Sequence, residues 1–169
     1  MAVHQLPAQA PEFTLEHVLG HPVSLNDYRG RTVVAMFGGK DSAEQVKQSI
    51  ETMRGRYDPD ELAILAVSDL ESVPRPARII AKGQLKKAFQ AAAEAQSARL
   101  AAAGKQAPED PAKTVVMLMD WKGEVVRDFG LSGVDEEAVG VVIDGDGRIV
   151  GSGIGAQAGE QILALLSSR

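Results

Sequence analysis

The sequence predicts a single α/β domain over residues 1–169, with a sheet that contains parallel strands. Residues 32–37 are six apolar or β-branched residues followed by a glycine pair, a pattern typical of a buried strand that ends in a turn. Residues 62–67 form a second apolar run, and a helix is predicted between the two runs. A strand, helix and strand joined by a crossover of this length form a right-handed unit with parallel strands.

The segment before the central strand is predicted to contain a small hairpin. Residues 1–11, which include two prolines, are expected to be a loose leader. Strands are predicted at residues 12–15 and 22–25, joined by a glycine-containing turn, and residues 24–30 are predicted to make one helical turn. The hairpin and this helical turn therefore precede the central strand.

The helix after the central strand has recognisable start and stop signals. Ser42 and Gln45 fit a capping box, in which the serine hydroxyl accepts a backbone N–H and the glutamine side chain reaches back to the cap. The helix is predicted to continue to about Tyr57, because Pro59 ends it. Residues 39–42 are thus expected at an exposed helix N-terminus, at the carboxyl end of a strand where α/β proteins commonly bind ligands.

The middle of the chain contains an insertion without strand character. A helical insertion is predicted over residues 74–111, with one helix from about Pro76 to Ala103 whose second half is rich in alanine. The elements predicted after it are a strand at 114–119, a short helix at 121–129, hairpin strands at 139–143 and 148–151, and a final helix at 156–167. No segment suggests a second domain.

The composition excludes several classes of function. A net charge of −5 with 24% charged residues is ordinary for a globular protein and gives no indication of a nucleic-acid partner. The sequence has no long apolar run and no basic-then-apolar leader, so we expect no transmembrane segment and a cytoplasmic location. It also contains no cysteine, which excludes disulfides, thiolate nucleophiles and cysteine-ligated metals.

Several motifs follow one another in a recognisable order. Residues 10–15 read Ala-Pro-Glu-Phe-Thr-Leu, residues 25–34 read Leu-Asn-Asp-Tyr-Arg-Gly-Arg-Thr-Val-Val, and strand-and-turn patterns follow at residues 117–131 and 142–150. Together they resemble the redoxins, the relatives of alkyl hydroperoxide reductase and thiol-specific antioxidant proteins. The resemblance implies a thioredoxin-like three-layer α/β/α sandwich with a central mixed sheet. It covers most of the chain except roughly 70–113, where the extended helical insertion is predicted.

The chain departs from this family at the redox site. Ser42 and Gln45 stand where the resemblance places the two cysteines, and Ala138 stands where it places a cis-proline. A serine hydroxyl cannot form a disulfide, and it does not ionise near neutral pH as an activated cysteine does. We therefore expect no thiol peroxidase or disulfide reductase activity and assign no catalytic residue. An engineered replacement of cysteine by serine at position 42 is an alternative.

The helix N-terminus formed by Gly38, Gly39, Lys40 and Ser42 is a candidate binding site. Free N–H groups and the positive end of a helix can bind an anion. Two acidic residues in the same first turn would, however, repel a phosphate. The sequence predicts no cofactor and no metal site, because the histidine pair of the N-terminal hairpin has no evident third ligand.

The other binding candidate is a basic stripe at the start of the insertion. Arg75, Arg78, Lys82 and Lys86 recur at spacings of three and four, which places all four on one side of a helix. An apolar side is predicted from Ile79, Ile80, Leu85 and Phe89. A basic amphipathic helix of this kind, over residues 75–89, can bind an acidic protein or an anionic membrane surface. A merely solvated helix face is the alternative.

Three hypotheses for function follow from these patterns. The first is a non-catalytic binding or regulatory module that uses residues 75–89. The second is a non-thiol enzyme or small-molecule binder at residues 39–42. The third is a redox protein in which cysteine 42 has been replaced by serine. The sequence is also compatible with a homodimer.

Overall fold

The computed structural model describes residues 4–169, and within them the chain forms a seven-stranded sheet flanked by four α-helices. The strands are β1 (Thr14–His17), β2 (Pro22–Ser24), β3 (Val33–Gly38), β4 (Ala63–Asp69), β5 (Val116–Asp120), β6 (Val139–Ile143) and β7 (Ile149–Ile154). The helices are α1 (Ala43–Arg54), α2 (Arg78–Ala102), α3 (Glu124–Asp128) and α4 (Ala158–Ser167). Short 3₁₀ segments cover Leu25–Tyr28, Arg75–Ala77, Pro111–Lys113 and Gly155–Gln157.

The sheet is mixed, as the sequence predicts. Its strand order is β2-β1-β5-β4-β3-β6-β7. Strand β3 pairs in parallel with β4, and β4 pairs in parallel with β5. The other pairs, β1 with β2 and β5, β3 with β6, and β6 with β7, are antiparallel. The parallel strand-helix-strand unit and the terminal hairpin are therefore confirmed.

The two faces of β3 contribute to different cores. Val33 and Phe37 pack into a core that includes residues of α3, whereas Val34 and Met36 pack into a core that includes residues of α1 and α4. Successive side chains of a strand point to opposite faces, so helices must cover both sides of the sheet. Helix α2 covers a third, smaller cluster around Phe89. These packing layers confirm the predicted three-layer α/β/α sandwich.

The predicted loose leader is wrong for its last residues. Gln9 forms a β-bridge with Arg148, and the backbone N–H of Ile149 donates to the carbonyl of Ala8. Ala10 is buried. These contacts hold residues 8–10 against the final hairpin, and the prediction for residues 1–3 lies outside the described residues.

Helix α3 begins later than the predicted helix at residues 121–129. Gly123 has a φ of +68°, a left-handed conformation that interrupts a right-handed helix. The carboxylate of Asp120 accepts hydrogen bonds from the N–H groups of Val125 and Val126, which caps the short helix that follows. A turn therefore separates β5 from α3.

The apolar side predicted for the basic helix is only partly correct. Phe89 is buried and Leu85 is half-buried, but Ile79 and Ile80 are 83% and 64% exposed. The register of the helix explains the difference, because Arg78 lies over the Trp121 ring at 5.0 Å from its centroid. Each residue is rotated about 100° from the previous one, so Ile79 turns away from that contact.

Candidate functional site

Ser42 occupies the junction between β3 and α1 and is fully buried. Its Oγ accepts a hydrogen bond of 3.0 Å from the N–H of Gly39 and donates one of 2.6 Å to the carbonyl of Val134. It makes no capping bond to the backbone of α1. The predicted capping role is therefore wrong, because the hydroxyl joins the helix start to a distant loop instead.

Gln45 is likewise used for a contact outside its own helix. Its Oε1 accepts a hydrogen bond of 2.9 Å from the backbone N–H of Ala138, which is completely buried beside β6. The structure therefore brings Ser42, Gln45 and Ala138 together, the three positions that the resemblance assigns to a redox centre. No peptide bond among residues 4–169 is cis, so the residues around Ala138 follow an ordinary trans backbone.

This junction is arranged for structure and lacks the partners of a nucleophile. A serine nucleophile needs a base that takes its proton, but Ser42 donates that proton to a backbone carbonyl. The buried imidazole of His17 is committed elsewhere, to Val115 and Leu19. The geometry consequently gives no catalytic role to Ser42.

The helix N-terminus is also covered. A Cβ atom at Gly39 would collide with Asp135, so this carboxylate packs directly against the backbone there. A Cβ at Gly38 would lie 2.5 Å from Val46, which shows equally tight packing. Lys40 is exposed, and the N–H of Gly39 already donates to the Ser42 hydroxyl. Because a carboxylate adjoins the positive helix end, the arrangement gives no support for an anion at this position.

The cations of the predicted basic stripe fall into two groups. Arg78 and Lys82 lie over the Trp121 ring, with the lysine Nζ 5.8 Å from the ring centroid. Such contacts hold the start of α2 against the domain. Arg75 and Lys86 are exposed, and Lys87 extends the positive charge along the helix. Within residues 4–169, the ion pairs are Lys105 with Asp58 and Arg127 with Glu71, so none involves this stripe.

The exposed isoleucines lie among these cations. We call Ile79 and Ile80, together with Arg75, Lys86 and Lys87, the basic apolar face. A contiguous exposed apolar patch rimmed by polar residues can mark an interaction site. The sequence placed both isoleucines on an apolar side of the helix with Leu85 and Phe89, and the structure leaves the two isoleucines exposed.

Sequence reasoning missed one buried titratable group near α2. His17 is fully buried, and its ring lies edge-on to Phe89 at a centroid distance of 5.3 Å. Its Nδ1 accepts from the N–H of Leu19, which leaves Nε2 to donate to the carbonyl of Val115. Burial lowers the pKa of His17, and the neighbouring His21 lowers it further. No sequence motif indicates this arrangement, because Phe89 comes from α2 and Val115 lies 98 positions along the chain, just before β5.

The fold and the thiol-free junction define a redoxin-type domain without the residues for thiol chemistry. The sequence model of the AhpC/TSA family matches residues 7–152, and the chain belongs to this family. Among curated proteins, no match was found.

Solved structures with the same fold share little sequence with this chain. The exposed lipoprotein thioredoxin Etrx1 of Streptococcus pneumoniae is 18% identical with a TM-score of 0.63, covering 94% of this chain and 100% of that one. A conserved protein of Geobacillus kaustophilus is 19% identical with a TM-score of 0.63, covering 89% and 69%. The thioredoxin domain of a thiol-disulfide oxidoreductase from Bacteroides vulgatus is 16% identical with a TM-score of 0.61, covering 98% of each chain. At these identities the similarity establishes the thioredoxin-like fold.

The length and hydropathy of the helices bear on whether any of them could cross a membrane. None of the helices in the described part of the chain is both long and apolar enough to span a bilayer.

Proposed function

We propose that this AhpC/TSA-family protein is a non-catalytic binding module that docks through its basic apolar face onto an anionic membrane surface. The observation that carries the proposal is the exposure of Ile79 and Ile80, 83% and 64%, in a segment whose charged residues are all cations. An exposed isoleucine pair has no evident role in stabilising this domain. On a lipid surface the same pair can insert while the cations contact the headgroups.

The charge of the segment supports an anionic partner. Arg75, Arg78, Lys82, Lys86 and Lys87 lie in a stretch that contains no acidic residue from position 72 to position 93. The whole chain carries a net charge of −5, so this positive segment is local and opposite in sign to the rest. Each Lys or Arg close to an anionic bilayer contributes about 1 kcal/mol of attraction.

The shape of the face favours a lipid surface over an acidic protein. The two isoleucines are consecutive and project from the exterior of a helix, and a Cβ at the neighbouring Gly83 would meet nothing within 4 Å. A protein partner would require a complementary groove, whereas a bilayer accepts a convex apolar surface. Burying one isoleucine side chain contributes about 1.5–3 kcal/mol, so two of them supplement the electrostatic term.

The junction at Ser42 supports the non-catalytic part of the proposal. The sequence contains no cysteine, and the Ser42 hydroxyl is engaged by Gly39 and Val134. We extend the proposal to a cytoplasmic location, because the cytoplasmic leaflet carries the anionic lipids that attract basic segments.

Two sets of variants separate the apolar from the electrostatic contribution to vesicle binding. We expect Ile79→Ser/Ile80→Ser to reduce co-sedimentation with vesicles containing phosphatidylserine at least fivefold, because the inserting side chains are lost. We expect Lys86→Glu/Lys87→Glu to abolish it at moderate salt. The matched control is Lys47→Glu/Arg148→Glu, which makes the same change in net charge at exposed positions elsewhere.

Equal loss in the control would show that only net charge matters and would contradict the proposed face. Equal binding of all variants would contradict it as well. If the protein does not bind vesicles but binds polyglutamate through Lys86 and Lys87, the partner is an acidic protein and the membrane proposal is wrong.

A further inference from the structure

A cavity of about 320 Å³ lies at the end of the sheet away from Ser42. It is lined by the amino ends of β4 and β5, by the residue Arg31 before β3, and by Arg54 at the end of α1. Ser42 follows the carboxyl end of β3, so the two places are on opposite edges of the sheet. The cavity is therefore separate from the redox position.

The charges around this cavity are mostly positive. Arg31, Arg54 and Lys113 line it, and Asp60 is the acidic residue among its lining side chains. The nearby Asp58 is already paired with Lys105. Three cations and one carboxylate leave a net charge of +2. This charge balances the charge of about −2 on a phosphate monoester above its second pKa.

Arg54 is the central feature of the cavity because it is buried without a carboxylate. Its side chain is 6% exposed, and its Nη1 donates to the carbonyls of Leu62 at 2.7 Å and Tyr57 at 3.4 Å. Burial lowers its pKa to about 10, and the positive charges of Arg99 and Arg31 add to this shift. The group remains charged at neutral pH, and a buried charge paired only with neutral carbonyls is unfavourable unless an anion joins it.

The remaining wall residues indicate more than a bare ion. The half-buried ring of Tyr28 and the side chains of Pro59, Ile64 and Val116 give the cavity apolar surfaces. Burial raises the pKa of Tyr28, which keeps its hydroxyl protonated as a donor. A volume near 300 Å³ is at the lower end of the range for small-molecule sites.

We propose that this cavity binds a compact phosphate monoester, with the phosphate held by Arg31, Arg54 and Lys113 and the ester group against Tyr28, Ile64 and Val116. Arg31 uses Nη2 on the carbonyl of Pro59 and Arg54 uses Nη1 on the carbonyls of Leu62 and Tyr57, and their remaining N–H donors can contact phosphate oxygens. Lys113, shortly before β5, adds a third positive charge to the lining. The ligand thereby supplies the anion that Arg54 lacks within the domain.

Phenyl phosphate is the first probe, with inorganic phosphate and phenol as comparisons. We expect saturable binding of phenyl phosphate at millimolar concentration or below, weaker binding of inorganic phosphate and none of phenol. On addition of phenyl phosphate, the backbone amide signals of Ala63, Ile64 and Val116 should change their chemical shifts in NMR spectra. No saturable binding, or binding of phenol equal to that of phenyl phosphate, would overturn the proposal.

Arg54 is buried, so its replacement could simply unfold the chain. The test therefore uses Arg31→Gln/Lys113→Gln, both at exposed positions. The double variant should bind phenyl phosphate at least tenfold more weakly, while the matched control Lys47→Gln/Arg148→Gln should bind as the wild type does. Equal affinity of the double variant and the wild type would place the ligand elsewhere and refute this site.

Discussion

Ser42 uses both hydrogen-bonding capacities of a hydroxyl inside the protein. It accepts from Gly39, at the end of β3, and donates to Val134, in the loop before β6. The residue therefore fastens two segments that are far apart in sequence. In this chain the position serves packing, and its hydrogen bonds compensate for the burial of a polar group.

The first prediction concerns Ser42→Ala. The substitution leaves the N–H of Gly39 and the carbonyl of Val134 without their partner, so we expect the free energy of unfolding to fall by about 1–3 kcal/mol. Urea denaturation measures this change. The matched control is Ser97→Ala on the exposed surface of α2, which should alter the free energy by less than about 0.5 kcal/mol. Similar values for both variants would show that the Ser42 bonds contribute nothing.

His17 is a second residue whose neighbours determine its chemistry. Its Nδ1 accepts a hydrogen bond from Leu19, so protonation there would break that bond. Burial is the main cause of its lowered pKa. The folded state therefore disfavours the imidazolium, whereas the unfolded chain takes up the proton near the ordinary pKa of about 6.5.

The second prediction follows from this difference between the two states. Between pH about 6.5 and the lower folded pKa, the unfolded chain binds more protons, so the free energy of unfolding must fall as the pH falls. Above this pH range, the contribution of His17 to the free energy of unfolding does not change with pH. Urea denaturation of wild type and His17→Gln from neutral to mildly acidic pH measures it. The variant should show a shallower pH dependence, and identical slopes would contradict the assignment.

At the scale of elements, α2 is anchored from Phe89 onward. Phe89 and Leu100 are buried, and the amide of Gln96 contacts the hydroxyl of Thr114 at 2.5 Å. The start of α2 contacts Trp121 through Arg78 and Lys82. No residue from Arg78 to Ala88 is fully buried, so this part of α2 is the more exposed one.

The third prediction separates the anchored part of α2 from its exposed start. Phe89→Ala should lower the free energy of unfolding by about 3–5 kcal/mol, because it removes a buried ring from the cluster beneath the helix. Ile79→Ser/Ile80→Ser should change it by less than about 0.5 kcal/mol per site, since both side chains are exposed. Thermal or urea unfolding distinguishes the two. A large loss in the isoleucine variant would mean that these residues support the fold.

The accuracy of the sequence analysis depended on the range of the interactions. The runs at 32–37 and 62–67 and the hairpin around residues 144–147 were predicted because their signals are local. The bond between Ser42 and Val134 joins residues 92 positions apart, so a local capping rule could not anticipate it. The exposure of Ile79 depends on how Arg78 meets Trp121, which the helical period alone does not determine.

At the scale of the whole molecule, charge is distributed unevenly. The segment 75–87 holds five of the 18 Lys and Arg residues, and all 23 Asp and Glu residues lie outside it. A domain of this kind should approach an anionic surface with its basic end first, because the acidic remainder is repelled. The sequence showed this asymmetry, whereas the cationic cavity around Arg54 appears only when α1, β4 and β5 come together.

The family membership, the absence of cysteine and the basic apolar face combine into one account, in which a redoxin-type fold serves membrane binding. The most direct test is flotation of the wild-type protein with vesicles of phosphatidylcholine alone and with added phosphatidylserine, at low and high salt. We predict saturable binding to the anionic vesicles that weakens as salt rises and is nearly absent on neutral vesicles. Failure to float with anionic vesicles at low salt would contradict the account.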